Sequence, residues 1–243
     1  MCYNVEAKAL ALKKYMKYYR IDPVEAKDLL NLDIHMVSGF SHPNMMLVTG
    51  EAEHPIQVMK WGLIPPWVKD EKQAKEMSDM CLNAKSETIF EKPSFRSIGK
   101  KRALLPVTGF YEWREFNKKK YPYYIHLKSG EPFAFGCVYD TWVNKETGEI
   151  LNTFSIITTE ANLLMAKIHN SKLRMPLIIP EDKEAAWINT ELSKEGIKQL
   201  MIPFNENQME AHTISKLITS RKENPNVPEV SEEFSYPELE QLK

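Results

Sequence analysis

Apolar residues recur at Val5, Ala9, Leu12, Met16 and Tyr19, in steps of three and four, with lysines between them. That spacing lays one apolar stripe along a helix and turns the lysines to solvent. Asp22-Pro23-Val24-Glu25 then offers an N-cap, a first-turn proline and a capping-box acid for a second short helix. From residue 45 the pattern changes. Runs rich in β-formers at 45–48, 56–61, 103–108, 121–127, 132–139 and 151–158 predict strands, separated by turn residues such as Lys128-Ser129-Gly130 and Thr147-Gly148. Consecutive strands joined by short turns predict antiparallel pairing in a curled, barrel-like sheet. A helix is expected over 159–168, with Thr159 as its cap and Leu164, Met165 and Ile168 as its apolar stripe. A strand over 177–179, helices near 181–187 and 191–201, and a late strand over 210–215 follow. The last twenty residues contain prolines and many acids, and predict an extended or disordered tail. No repeat and no linker divides the rest. The fold class read from this pattern is α+β: one domain over 1–222 with a mainly antiparallel, barrel-like sheet flanked by helices, and an acidic tail over 223–243.

Composition narrows the class. With 243 residues and 43% hydrophobic content the chain can bury a full core. It lacks a run of about 18 apolar residues and the apolar stretch of a signal peptide, so no membrane partner is expected. Cys2, Cys81 and Cys137 are odd in number and form no CxxC pair, which argues against a disulfide framework or a zinc knuckle. The reading is a cytoplasmic, monomeric protein with no metal and no cofactor. The net charge of −1 hides an uneven spread. Residues 91–130 hold ten Lys or Arg against three acids, and residues 221–243 hold three against six. A local basic face suits phosphate even on a near-neutral protein, although Lys118–Lys120 reads as the solvated tip of a hairpin.

The N-terminus is where chemistry first shows. A small second residue normally permits removal of the initiator methionine, which would leave Cys2 with a free amine and a thiol two carbons apart. Their reference pKa values, about 7.7–8 and about 8.5, leave each a reactive fraction near neutrality. Such an aminothiol attacks an aldehyde first through nitrogen, giving a Schiff base, and then through sulfur, closing a thiazolidine. In Gly109-Phe110-Tyr111-Glu112-Trp113 a carboxylate lies among aromatics at a strand end. Desolvation there should lift the Glu112 pKa toward the range useful for proton transfer; the plain alternative is a solvent-facing glutamate paired with Arg114. His169 reads either as a functional imidazole or as a cation capping a helix C-terminus. Asn83-Ala84-Lys85-Ser86-Glu87-Thr88 is a polar run set behind the apolar Met80-Cys81-Leu82.

Taken in order, these segments resemble the SRAP family, the SOS-response-associated peptidase-like proteins that sense abasic sites in single-stranded DNA. The family pattern is an N-terminal Met-Cys, a W-G-hydrophobic-x-P-x-W segment, N-A-R-x-E-T, G-[FW]-[FY]-E-W and an H-x-R-M-P-like motif. The chain offers Met1-Cys2, Trp61-Gly62-Leu63-Ile64-Pro65-Pro66-Trp67, Asn83 to Thr88, Gly109 to Trp113, and His169 with Arg174-Met175-Pro176. Pro93-Ser94-Phe95-Arg96 matches a further family segment, and the likeness runs on to His212-Thr213-Ile214-Ser215-Lys216. The chain departs from the pattern at three places. Tyr3-Asn4-Val5 stands where Gly-Arg-Phe is common, Lys85 replaces the motif arginine, and Asn170 to Leu173 lengthen the step from His169 to Arg174.

The resemblance implies an abasic-site trap in which Cys2 forms a covalent crosslink to single-stranded DNA. His169 would move the proton that opens the deoxyribose ring, Glu112 would shuttle protons, and Asn83 would hold the geometry. Lys85, Arg96 and Arg174 are the implied phosphate contacts, Thr158 a hydroxyl donor, and Pro43, Pro65, Pro66 and Trp67 an apolar wedge against bases. Trp67 as plain core is the alternative, and Trp61, on a strand, reads as core. Two other functions stay open: a cysteine peptidase using Cys2 and His169, able to release Met1 itself, and a non-covalent single-strand binding module. A zinc hydrolase using Cys2, Glu112 and His169 lacks close ligand spacing.

Overall fold

The computed structural model describes residues 2–19, 33–51 and 55–240. The chain opens with β1 (Asn4–Ala7), α1 (Ala9–Tyr19), β2 (Ile34–Ser38), β3 (Asn44–Thr49), β4 (Ile56–Trp61), α2 (Glu71–Met80) and β5 (Asn83–Lys85). Five long strands dominate the middle: β6 (Arg102–Val107), β7 (Gly109–Phe116), β8 (Lys119–Leu127), β9 (Phe133–Val143) and β10 (Ile150–Glu160). Then come α3 (Leu163–Ile168), β11 (Arg174–Pro176), β12 (Ile178–Ile179), α4 (Glu184–Ile188), α5 (Lys194–Leu200), β13 (Met209–Thr213) and α6 (Pro237–Glu240).

Strand pairing closes a five-stranded ring. β4, β3, β6 and β9 pair antiparallel in that order, β9 continues antiparallel to β10, and β10 returns to β4 in parallel. β5 also lies parallel to β10, and β11 pairs with its end. A second, wholly antiparallel sheet runs β13-β8-β7-β1-β2. The two-residue alternation of side chains divides the core. Leu105, Phe135, Phe154 and Ile156 pack with Val5, Phe110 and Ile125 of the second sheet. Leu104, Val138 and Ile157 pack with Trp187 of α4 and Ile197 of α5. The first core therefore joins the two sheets, and Cys2 belongs to it.

Local signals explain several element ends. β7 turns into β8 through Asn117 and Lys118, both at positive φ (49° and 60°), the two-residue hairpin geometry that matches strand twist. Lys118 is thus a solvated tip. Arg102 on β6 is buried and, among the described residues, forms no salt bridge; its guanidinium donates to the carbonyls of Ile98, Gly99, Trp187 and Asn189. One cation thereby fastens the 3-10 turns at Pro93–Gly99 and the end of α4 to the ring.

The structure corrects three expectations. Val5 is not the first residue of a helix: it pairs with Val37 and Phe110 in β1, and α1 starts at Ala9, whose N–H donates to Asp33 Oδ1. The short helix expected from Asp22 lies outside the described residues. Thr159 is not a helix cap, because it pairs with Met175 in β10; Asn162 caps α3 by accepting from the Met165 N–H at 2.9 Å. The acidic tail is ordered against the second sheet. Asn226 Oδ1 accepts from the N–H groups of His35 and Met36, on the β2 edge. Ile214 bridges to Glu233, Phe234 N donates to Thr213 O, and Tyr236 donates to Ile214 O, along the β13 edge. Val230, Tyr236 and Leu239 are buried while Glu229, Glu232 and Glu233 face water. A few apolar anchors decide the outcome that the acid content argued against.

Candidate active site

β1 is a central strand, with Asn4 paired to Ser38 on one side and Tyr111 on the other. Cys2, two residues upstream, is drawn into the core with no exposed surface, its Sγ 3.9 Å from Asn4 O. Burial, and next the charge of Glu112, push its thiol well above the ordinary range, so the sulfur is held as a neutral thiol at neutral pH. From β5, Asn83 donates through Nδ2 to the Cys2 carbonyl at 3.0 Å. Its Oδ1 is buried and unpartnered, an acceptor left open at the cysteine's backbone.

Glu112 lies on β7 on the same face as Phe110, toward the joint core. It is 4% exposed, and burial pushes its carboxyl up to about 7. His169 ends α3, its N–H bonded to Met165 O and its ring buried. Nδ1 lies 2.9 Å from the Arg174 carbonyl; a carbonyl only accepts, so Nδ1 carries the proton. Nε2 is then the basic nitrogen, and it faces Glu112 Oε2 at 3.9 Å. Burial holds the imidazole pKa below its ordinary value. A carboxyl near 7 beside a neutral imidazole gives two groups able to exchange one proton at neutral pH. A raised carboxyl alone does not mark the site. Glu184 is also pushed up to about 7 by burial, but it accepts from the Tyr15 hydroxyl of α1 and has Lys14 and Glu181 as its charged neighbours.

The longer step from His169 to Arg174 folds back on itself. Leu173 N donates to His169 O, Leu173 takes positive φ (53°), and Asn170 bonds both backbone groups of Glu115 through its side chain. The insertion thereby returns Arg174 O to the imidazole.

Among the proposed DNA contacts, Lys85, Thr158 and Arg174 come together across β5, β10 and β11. Lys85 is exposed. Thr158 is not an available hydroxyl donor: it is fully buried, bonds Ala84 O at 3.4 Å, and accepts from Arg174 Nη2 at 3.2 Å. Arg174 is not an open cation either. Its fork is held bidentate by Glu87 and by the Thr158 carbonyl. Pro43 is half-buried in a turn pinned by His42, whose ring nitrogens lie 2.8 Å from Trp61 O and from Asp79 Oδ1. Trp67 is 45% exposed, so it is not core, whereas Trp61 is fully buried. Arg96 is exposed on the 3-10 segment that Phe95 and Ile98 anchor.

A cleft of about 480 Å³ opens onto Glu112 and His169, with Tyr3, Trp113, Lys120, Lys172 and Lys216 on its walls. Pro43, Trp67 and Arg96 do not line it. No sequence motif singles out the three lysines of this wall: Lys120 follows the hairpin tip on β8, Lys172 lies in the lengthened step after His169, and Lys216 ends the 212–216 run. Among the described residues, no three His, Cys, Asp or Glu side chains gather as a metal site, and no helix is long and apolar enough to cross a membrane.

Residues 5–221 match the family described as SOS response associated peptidase (SRAP). The chain belongs to the SRAP family. It is 37% identical over 206 residues to the abasic site processing protein YoqW of Bacillus subtilis, covering 80% of this chain and 88% of that one. The abasic site processing protein YoaM of the same organism is 39% identical over 183 residues, 74% and 77% of the two chains. A Bacteroides thetaiotaomicron protein solved by crystallography superposes with a TM-score of 0.88 at 41% identity, covering 96% of this SRAP chain and all of that one. The expected barrel-like α+β architecture is thus the SRAP architecture, here with its five-stranded ring closed through one parallel pair.

Proposed function

We propose that this SRAP protein captures abasic sites in single-stranded DNA as a covalent adduct on Cys2. Its relatives bear the name abasic site processing protein. The observation that carries the reading is a protonatable carboxyl facing a neutral imidazole at 3.9 Å, with Asn83 bonded to the carbonyl of the buried Cys2 on which the Glu112 charge acts. While Met1 is attached the Cys2 nitrogen is an amide; its removal yields the nucleophilic amine. His169 takes the proton of the anomeric hydroxyl through Nε2 as the ring C–O bond breaks, and the imidazolium returns that proton to the departing ring oxygen, which leaves as the C4 hydroxyl. The amine adds to the aldehyde carbon, and Glu112 in its acid form protonates the carbinolamine hydroxyl, which departs as water. The thiol then adds across the C=N bond, sulfur to carbon and its proton to nitrogen, closing the thiazolidine. Nothing is oxidised or reduced. Asn83 holds the backbone so that the reacting atoms meet without a search. Ring closure matters because a lingering Schiff base would invite β-elimination and strand scission.

The test is a mass spectrum of denatured protein after mixing with an abasic oligonucleotide. Wild type should give a species one water lighter than the sum of the two. Cys2→Ala should give none, and neither should an N-terminal extension that keeps the Cys2 nitrogen in a peptide bond with the thiol intact. An adduct in the extended protein would overturn the aminothiol mechanism. A purely non-covalent DNA module would give no denaturant-resistant species in any sample.

A further inference from the structure

The cleft outside Glu112 and His169 has walls whose chemistry the capture reaction does not use. Lys120 comes from β8, Lys172 from the turn after His169, and Lys216 from the 3-10 turn after β13, joined by the hydroxyls of Ser171 and Thr219. All three lysines are exposed, and among the described residues none forms a salt bridge. Against them the cleft sets Glu115 and the buried Glu112. The half-buried faces of Tyr3 and Trp113 complete the wall. Arg174, by contrast, has its charge matched by Glu87. Glu238 of the tail, which accepts from the Tyr121 hydroxyl at 2.9 Å, does not line the cleft.

We propose that this cleft is the phosphate-holding subsite for one of the two single-stranded arms that flank the captured nucleotide. The proposal rests on the abasic-capture reading above. Three mobile ammonium groups on separate elements suit a backbone whose phosphates are regularly spaced but whose bases vary. A volume of about 480 Å³ admits a nucleotide or two of single strand and not a duplex. The aromatic faces add sequence-tolerant stacking. Lys85 lies outside this lining and is left to serve the other arm.

The experiment compares two oligonucleotides, one with the abasic nucleotide at its 5′ end and one with it at its 3′ end, so that each presents a single arm. Adduct formation is timed across a salt series for wild type and for the triple variant K120Q/K172Q/K216Q. The expected result is a change of about tenfold in the ratio of the two rates. For the disfavoured arm, the salt slope should fall by roughly two, from three contacts at ~0.7 each. The double variant K120Q/K216Q, which keeps Lys172 beside His169, should move the ratio the same way. An unchanged ratio, whether both rates fall together or neither falls, overturns the subsite. If wild type forms no adduct with either oligonucleotide, it is the capture reading that fails.

Discussion

Replacing Glu112 by Gln keeps the shape of a buried side chain while removing its proton. In the folded protein its carboxyl rises from 4.5 to about 7 through burial. At ~1.36 kcal/mol per pKa unit, the ionised form carries a cost of about 3 kcal/mol relative to the unfolded chain. The sign follows from proton counting. Between about 4.5 and 7 the folded state binds more protons than the unfolded one, so wild-type stability falls as pH rises through that window and levels off above it. The amide variant has no such fall. Glu112→Gln should therefore match wild type below pH 4.5 and exceed it by about 3 kcal/mol at pH 8. For a chain of this size that is roughly 6–12 °C in Tm. Adduct formation by the same variant should slow by about 10–100-fold, because an amide cannot exchange the proton. Thermal melts at pH 4.5 and 8, run beside capture rates, read both effects. A melting difference that does not change with pH, or a variant less stable than wild type at pH 8, would refute the argument that Glu112 is held at a cost for its chemistry.

His169→Ala should slow capture of a natural abasic site far more than capture of a simple open-chain aldehyde, which has no ring to open; equal slowing on both, in parallel rate assays, would reject ring opening as its task. Lys85→Ala should weaken binding to intact and abasic strands alike and lower the salt slope by about 0.7, read by anisotropy titrations. Arg174→Lys should instead cut the capture rate more than the affinity, since a point charge cannot hold the Glu87 and Thr158 contacts that fix the carbonyl behind His169.

What the sequence made legible was the chemistry that depends on neighbours in the chain. Glu112 could be read because its chain neighbours Phe110, Tyr111 and Trp113 are aromatic; the alternation of β7 then places it on the buried face of Phe110. The strands and the Met165–Ile168 stripe were readable for the same reason. Interactions across long separations were not. Thr158 looked like a surface hydroxyl until the pairing of β10 with β5 and β11 enclosed it. Arg174 looked like a phosphate ligand until Glu87, eighty-seven residues away in sequence, took its fork. Val5 fitted a helical period as well as a strand, and only its partners Val37 and Phe110 decide between them. The lysine-walled cleft draws on β8, the turn after α3 and the segment after β13, and no window of sequence contains it.

The tail that straps the second sheet also bears on how the protein is made. The β2 edge receives its hydrogen-bond partner from Asn226, and the β13 edge from residues 231–236. Both edges belong to the sheet that carries Glu112, and open strand edges are templates for pairing with other chains. On the ribosome, that sheet is complete in sequence before its cover has emerged. The interval between the synthesis of β13 and the docking of Tyr236 is therefore when a nascent chain is most open to pairing with its neighbours. A stop codon just after residue 221 would make that interval permanent.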